Sequence, residues 1–160
     1  MSQTKSKREI FNSFVSKVAP KEPKLLRPPY FNDEALFSEC HKCEALCVSA
    51  CEESIIYIAD DKSPFLDFSK SGCTYCDKCA IACELGVLDL EYKKPIGAKI
   101  AIDKTKCLSW GHTMCFSCKD PCLENAIDFK ALFMPSINQN CTSCGFCISR
   151  CPTDAIEVLL

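Results

Sequence analysis

The chain has 160 residues, room for one ordinary domain or two very small ones. Nineteen Lys and Arg against 21 Asp and Glu leave a formal charge of −2, which points neither to nucleic acid nor to an anionic membrane surface. Sixteen cysteines are the outlier. With no apolar run of five in residues 1–30 and no stretch near the ~20 apolar residues of a spanning helix, a reduced, cytoplasmic chain with metal-binding cysteines is expected over a disulfide framework.

Residues 1–35 contain no cysteine and read as a basic arm. Seven Lys or Arg lie between Lys5 and Arg27, and Ile10, Phe11, Phe14, Val15 and Val18 share one face of a short helix that Pro20 ends. That face packs on the arm's own body or docks on a partner. The pair Lys7-Arg8 lacks the apolar region that an export signal needs after it.

Four groups of four cysteines follow between residues 40 and 151, and they are repeats. Three residues beyond the last cysteine of each group stands a turn-type residue: Ser54, Gly86, Asn125 or Asp154. Beyond each turn, apolar residues alternate as in a short strand. Phe65–Phe68, Ile100–Asp103 and Met134–Ile137 give short strands ahead of groups two to four. Three residues separate the third and fourth cysteines, the spacing of one helical turn. Each repeat therefore reads strand, cysteine-rich loop, helical turn, strand. Paired repeats give an α+β chain of two compact halves, residues 36–95 and 96–160, joined by the polar linker Glu91–Pro95. So few Ile, Leu and Phe fall to each repeat that a bound inorganic group is needed to complete the core.

Cys73, Cys76, Cys79 and Cys83 have the spacing of the iron–sulfur run, as do Cys141, Cys144, Cys147 and Cys151 with Pro152 after them. Three closely spaced cysteines wrap a cubane and the fourth reaches the neighbouring one, while Gly72 and Gly145 let backbone approach the sulfur cage. Cys40, Cys43, Cys47 and Cys51 form the same run with one extra residue. In the third group Cys115, Cys118 and Cys122 align as second to fourth ligands, and Cys107 keeps its distance from the strand Ile100–Ile102, so Ser109–Met114 is an insertion between ligands one and two. All sixteen cysteines are thereby assigned, four to each of four [4Fe–4S] clusters.

Pairing adjacent repeats, which the short linkers favour, gives Cys40, Cys43, Cys47 and Cys83 for the first cluster and Cys73, Cys76, Cys79 and Cys51 for the second. Cys107, Cys115, Cys118 and Cys151 form the third set, and Cys141, Cys144, Cys147 and Cys122 the fourth. A nested pairing, first group with fourth and second with third, exchanges only the fourth cysteines. Four zinc sites are the alternative, but zinc knuckles give no role to a third cysteine two residues on. His41 and His112 are left as loop residues, and Trp110, the single tryptophan, shields a cluster or touches a partner. No Ser/His/Asp set or phosphate loop is visible, so the chain is not expected to be an enzyme.

Arg27-Pro28-Pro29-Tyr30 ahead of the first group, four groups in this length, the wide Cys107–Cys115 gap, and Cys141–Pro152 followed by Asp154-Ala155-Ile156 are together similar to the NapF family, the ferredoxin-type accessory proteins of periplasmic nitrate reductase systems. The likeness spans about residues 25–160 and implies two tandem bacterial 2[4Fe–4S] ferredoxin-like units. It implies a cytoplasmic protein that contacts the molybdenum-containing catalytic subunit before export and assists its maturation or iron–sulfur assembly, with a direct electron route as the other role. An electron-transfer subunit of a different redox complex is the alternative. The long first group departs from the family's usual run.

Overall fold

The computed structural model describes residues 24–160. The helix expected over Ile10–Val18 lies outside them. The described chain is α+β, built from short elements consistent with a ferredoxin-like fold. In order these are α1 (Leu46–Ser49), β1 (Ile56–Ile58), β2 (Pro64–Leu66), α2 (Lys78–Ile81), β3 (Lys99–Ile102), β4 (Ile127–Lys130), β5 (Phe133–Ile137), α3 (Phe146–Ser149) and β6 (Ile156–Leu159). Two 3₁₀ helices, Glu34–Lys42 and Leu90–Tyr92, complete the set.

The strands form three antiparallel pairs. β1 pairs with β2 (Ile56 opposite Leu66), β3 with β6 (Ile102 opposite Ile156), and β4 with β5 (Ile127 opposite Ile137). The expected strands precede and follow the cysteine groups, with one exception. No strand forms after Cys83, although Val87 and Leu88 are buried there. The position held by β3 in the second half is taken in the first by residues 26–30, which include Pro28 and Pro29. Prolines have no N–H to donate, so the ladder shrinks to isolated bonds, Asp89 N–H to the Tyr30 carbonyl at 2.8 Å and Lys94 N–H to the Pro29 carbonyl at 2.9 Å.

All four turn residues adopt positive φ: Ser54 53°, Gly86 65°, Asn125 47° and Asp154 48°. Asn, Asp and Gly tolerate this conformation best. Each accepts the geometry that closes a turn back onto the preceding cysteine, as in Asn125 N–H to the Cys122 carbonyl at 3.2 Å.

The helical turns are shorter than their spacing suggests. α1, α2 and α3 each hold the third cysteine of their group and end before the fourth, so Cys51, Cys83 and Cys151 stand beyond the helix and not on its inner face. The third group has turns in place of a helix, because Pro121 removes an N–H and restricts Asp120 before it.

The arm boundary at residue 35 is not a break in packing. Leu26 and Tyr30 are buried in one core with Phe37, Ile55, Ile56, Leu66, Phe68, Val87, Leu88 and Ile96. The core of the second half is much smaller, formed by Ile100, Ile127, Cys147 and Ile156. A core of that size contributes little stability by itself.

Candidate metal centres

Twelve of the sixteen cysteines line three hollows as quartets, each with three members from one group and the fourth from its sequence neighbour, and the other four influence one another's thiols. Cys73, Cys76, Cys79 and Cys51 line a hollow of about 380 Å³, its open mouth included, closed by Tyr30, Ile55 and Leu66. Cys141, Cys144, Cys147 and Cys122 line one of about 360 Å³ with Ile100, Ile127 and Ile137. Cys107, Cys115, Cys118 and Cys151 line one of about 350 Å³ with Ile102, Pro135 and Pro152. Cys40, Cys43, Cys47 and Cys83 lie close enough that, after burial, their mutual charges push the Cys40 and Cys47 thiols up to about 11. The grouping is adjacent and not nested. Among the described residues, no three His, Cys, Asp or Glu side chains converge as a single ion requires.

Backbone N–H groups are aimed at the sulfurs. In the turns after the fourth cysteines, Ala126 N–H donates to Cys122 Sγ at 3.3 Å, Ala155 N–H to Cys151 Sγ at 3.2 Å and Leu88 N–H to Cys83 Sγ at 3.4 Å. The positive φ of Asn125, Asp154 and Gly86 turns these amides inward. Within the loops, Ala45 N–H reaches Cys43 Sγ and Tyr75 N–H reaches Cys73 Sγ, each at 3.4 Å. Tyr75 and Asp77 flank Cys76 at φ 54° and 68°, and Ser143 and Gly145 flank Cys144 at 59° and 88°. This alternation curls each loop around its hollow.

Burial alone opposes the thiolate. It pushes the Cys73 and Cys118 thiols up to about 11 and those of Cys79 and Cys147 up to about 12. An inorganic cation in the hollow reverses that balance, since coordination deprotonates a thiol. Quartets of thiols lining a common hollow, with amides donating to sulfur, fit an iron–sulfur cubane.

Gly72 and Gly145 have a different task from the one their position suggests. A Cβ on Gly72 would overlap Phe146 N and lie 2.7 Å from the Cys144 carbonyl oxygen, and one on Gly145 would overlap the Phe68 ring. They let the second and fourth loops approach each other. Trp110 is likewise occupied elsewhere: its Nε1–H donates to the Pro135 carbonyl at 3.1 Å, Lys104 Nζ lies 4.4 Å from its ring, and Leu108, not Trp110, lines the third hollow. His41 bonds the Ser38 carbonyl through Nδ1, and His112 packs edge-on against Phe133.

Arg27, placed by the sequence in the basic arm and in the Arg27-Pro28-Pro29-Tyr30 motif, has a role beside Cys40 that the sequence did not show. Its Nη1 donates to Ser63 Oγ at 2.6 Å and to the Pro64 carbonyl at 2.8 Å, and its guanidinium sits 4.4 Å above Phe37, with its charge drawing the Cys40 thiol back down. The neighbouring prolines, which fix the backbone, are its only sequence signal.

The 4Fe–4S binding domain family matches residues 136–157. The chain is 31% identical over 137 residues to "Ferredoxin-type protein NapF" of Escherichia coli (strain K12), covering 82% of each chain. It is 34% identical over 139 residues to the protein of the same name in Haemophilus influenzae, covering 83% of this chain and 78% of that one.

Proposed function

Because the chain belongs to the NapF family of ferredoxin-type proteins, we propose that it carries four [4Fe–4S] clusters in two tandem ferredoxin-like units. In this reading it serves the periplasmic nitrate reductase system from the cytoplasm, by assisting maturation of the catalytic subunit. The iron–sulfur character rests on the family and on the matched 4Fe–4S domain. The count of four is supported by one observation above the rest: three hollows are each lined by a quartet of cysteines, and the four cysteines that remain lie close enough to influence one another.

A bound cluster supplies one-electron exchange without moving a proton or an atom. The chain's part is to hold it. The cysteines are the ligands, and the turn amides of Leu88, Ala126 and Ala155 offset charge on the sulfurs. Ile55, Ile100, Ile127 and Ile156 keep water from the inner walls.

Anaerobic preparations are expected to hold about sixteen iron and sixteen acid-labile sulfide per chain, four of each per cluster. About eight of each would leave two quartets empty, and zinc without iron would overturn the reading. Capture of the unexported catalytic subunit on the tagged chain tests the partner. A maturation role predicts that deletion leaves the catalytic subunit poorly active even with artificial electron donors. Full activity under those conditions would favour the electron-carrier reading, which the one-electron chemistry of the clusters also supports.

A further inference from the structure

The second and fourth ligand loops, which belong to different halves of the chain, touch directly. Cys73 N–H donates to the Cys144 carbonyl at 2.6 Å, and the Tyr75 hydroxyl donates to the Thr142 carbonyl at 2.6 Å. Both Cys73 and Cys144 are ligand positions, so the bond links one quartet to the other through backbone alone. The second quartet takes its fourth cysteine, Cys51, from the first group, which makes those two sites neighbours, and the third and fourth quartets exchange Cys151 and Cys122 in the same way. The spatial order therefore differs from the order along the chain.

We infer that the contact of Cys73 with Cys144 is the junction through which electrons cross between the halves, the four sites standing in the order first, second, fourth, third. Gly72 is the positioning residue of that junction. Its backbone conformation is open to any residue, but only a missing Cβ admits Phe146 N and the Cys144 carbonyl at this distance. The inference rests on the cluster-binding reading above. Each crossing moves one electron: one site is oxidised, the other reduced, no bond forms or breaks, and no proton is required. The outer sites then face the exchange partners, a low-potential one-electron donor at one end and an acceptor at the other. The third site, with its inserted loop Ser109–Met114, is one terminus, and the first, under the long 3₁₀ helix, is the other.

The test uses the full chain, purified anaerobically. Its iron and sulfide content comes first, and a chain without iron sinks the cluster reading before any spectrum is recorded. Two variants are then reduced with dithionite and compared by electron paramagnetic resonance. Cys43→Ala/Cys115→Ala depletes the outer sites and is expected to keep the magnetic splitting between the two that remain. Cys76→Ala/Cys141→Ala depletes the inner sites and is expected to lose it. Splitting lost in the first variant, or kept in the second, overturns the order. Should either fail to retain about eight irons, Gly72→Val in the otherwise intact chain decides. With all the iron retained, its splitting is expected to narrow from that of the parent, and an unchanged spectrum overturns the junction.

Discussion

Tyr75 fastens the two halves through Thr142, donating to its carbonyl at 2.6 Å while accepting from the Ile96 amide at 3.1 Å. Tyr75→Phe keeps the ring and leaves both backbone partners short of a bond, at a cost of about 1–3 kcal/mol. The melting temperature of the anaerobic protein is expected to fall accordingly, with iron content unchanged.

The same hydroxyl gives a pH signature. Burial pushes the Tyr75 phenol up to about 12 from its ordinary value of about 10, the hydrogen bond from the Ile96 amide drawing it part of the way back and the charge of nearby Cys73 adding to the rise. A raised folded pKa contributes stability that is fully present below about 10 and lost as pH rises through about 12. Melting temperatures from pH 9 upward are expected to converge for the parent and Tyr75→Phe. A constant difference across that range would exclude the phenol as the cause.

Gly145 and Gly97 make a controlled pair. Gly145 sits at φ 88° and a Cβ there would overlap Phe68, whereas nothing lies within 4 Å of a Cβ on Gly97. Gly145→Ala is expected to cost about 2–4 kcal/mol from backbone strain and overpacking. Gly97→Ala is expected to stay within about 0.5 kcal/mol of the parent. Thermal melts of both proteins, side by side, measure the contrast.

The repeats are legible because each is written in residues that act locally. The turns at Ser54, Gly86, Asn125 and Asp154 need only a residue that accepts positive φ, and the strand beyond needs only alternation. What could not be read depends on residues far apart in the chain. The missing strand at Val87 follows from prolines 58 and 59 residues earlier, Pro29 and Pro28, which occupy the partner position. The role of Gly72 depends on Phe146, in the other half. Arg27 looks like one more charge of a basic arm until Ser63, Pro64 and Phe37 are seen around it. Adjacent pairing was favoured by linker length, but nothing in the spacing shows that the second and fourth loops touch.

Arg27→Lys tests how local the effect of that side chain is. Lysine keeps the charge but has no planar fork to bond Ser63 Oγ and the Pro64 carbonyl together, and it stacks less well on Phe37. A loss of about 1–3 kcal/mol is expected. Because Arg27 stands beside Cys40, the variant is also expected to lose about four of sixteen irons, the content of one cluster. Iron lost evenly from every site would show that the residue supports the whole fold and not the first quartet.

Removing the inorganic groups tests what holds the chain together. The second half has a small core, Ile100, Ile127, Cys147 and Ile156 with the buried Ala126 and Ala155 beside them, so anaerobic chelation is expected to abolish its strand signal in circular dichroism. The first half, whose core reaches from Leu26 to Ile96, is expected to keep more structure. In the iron-free chain the buried thiols of the half that keeps its core return to the protonated form that burial favours, with Cys79 at about 12 and Cys73 at about 11. Their stabilising contribution is whole below the unfolded thiol value of about 8.5 and disappears as pH climbs through those values. Residual structure is therefore expected to be greater at pH 7 than at pH 11. The loaded protein, whose thiolates are already committed to metal, is expected to show no such decline from these cysteines. A loaded and an iron-free chain with the same alkaline profile would mean that the quartets had never released protons to a metal at all.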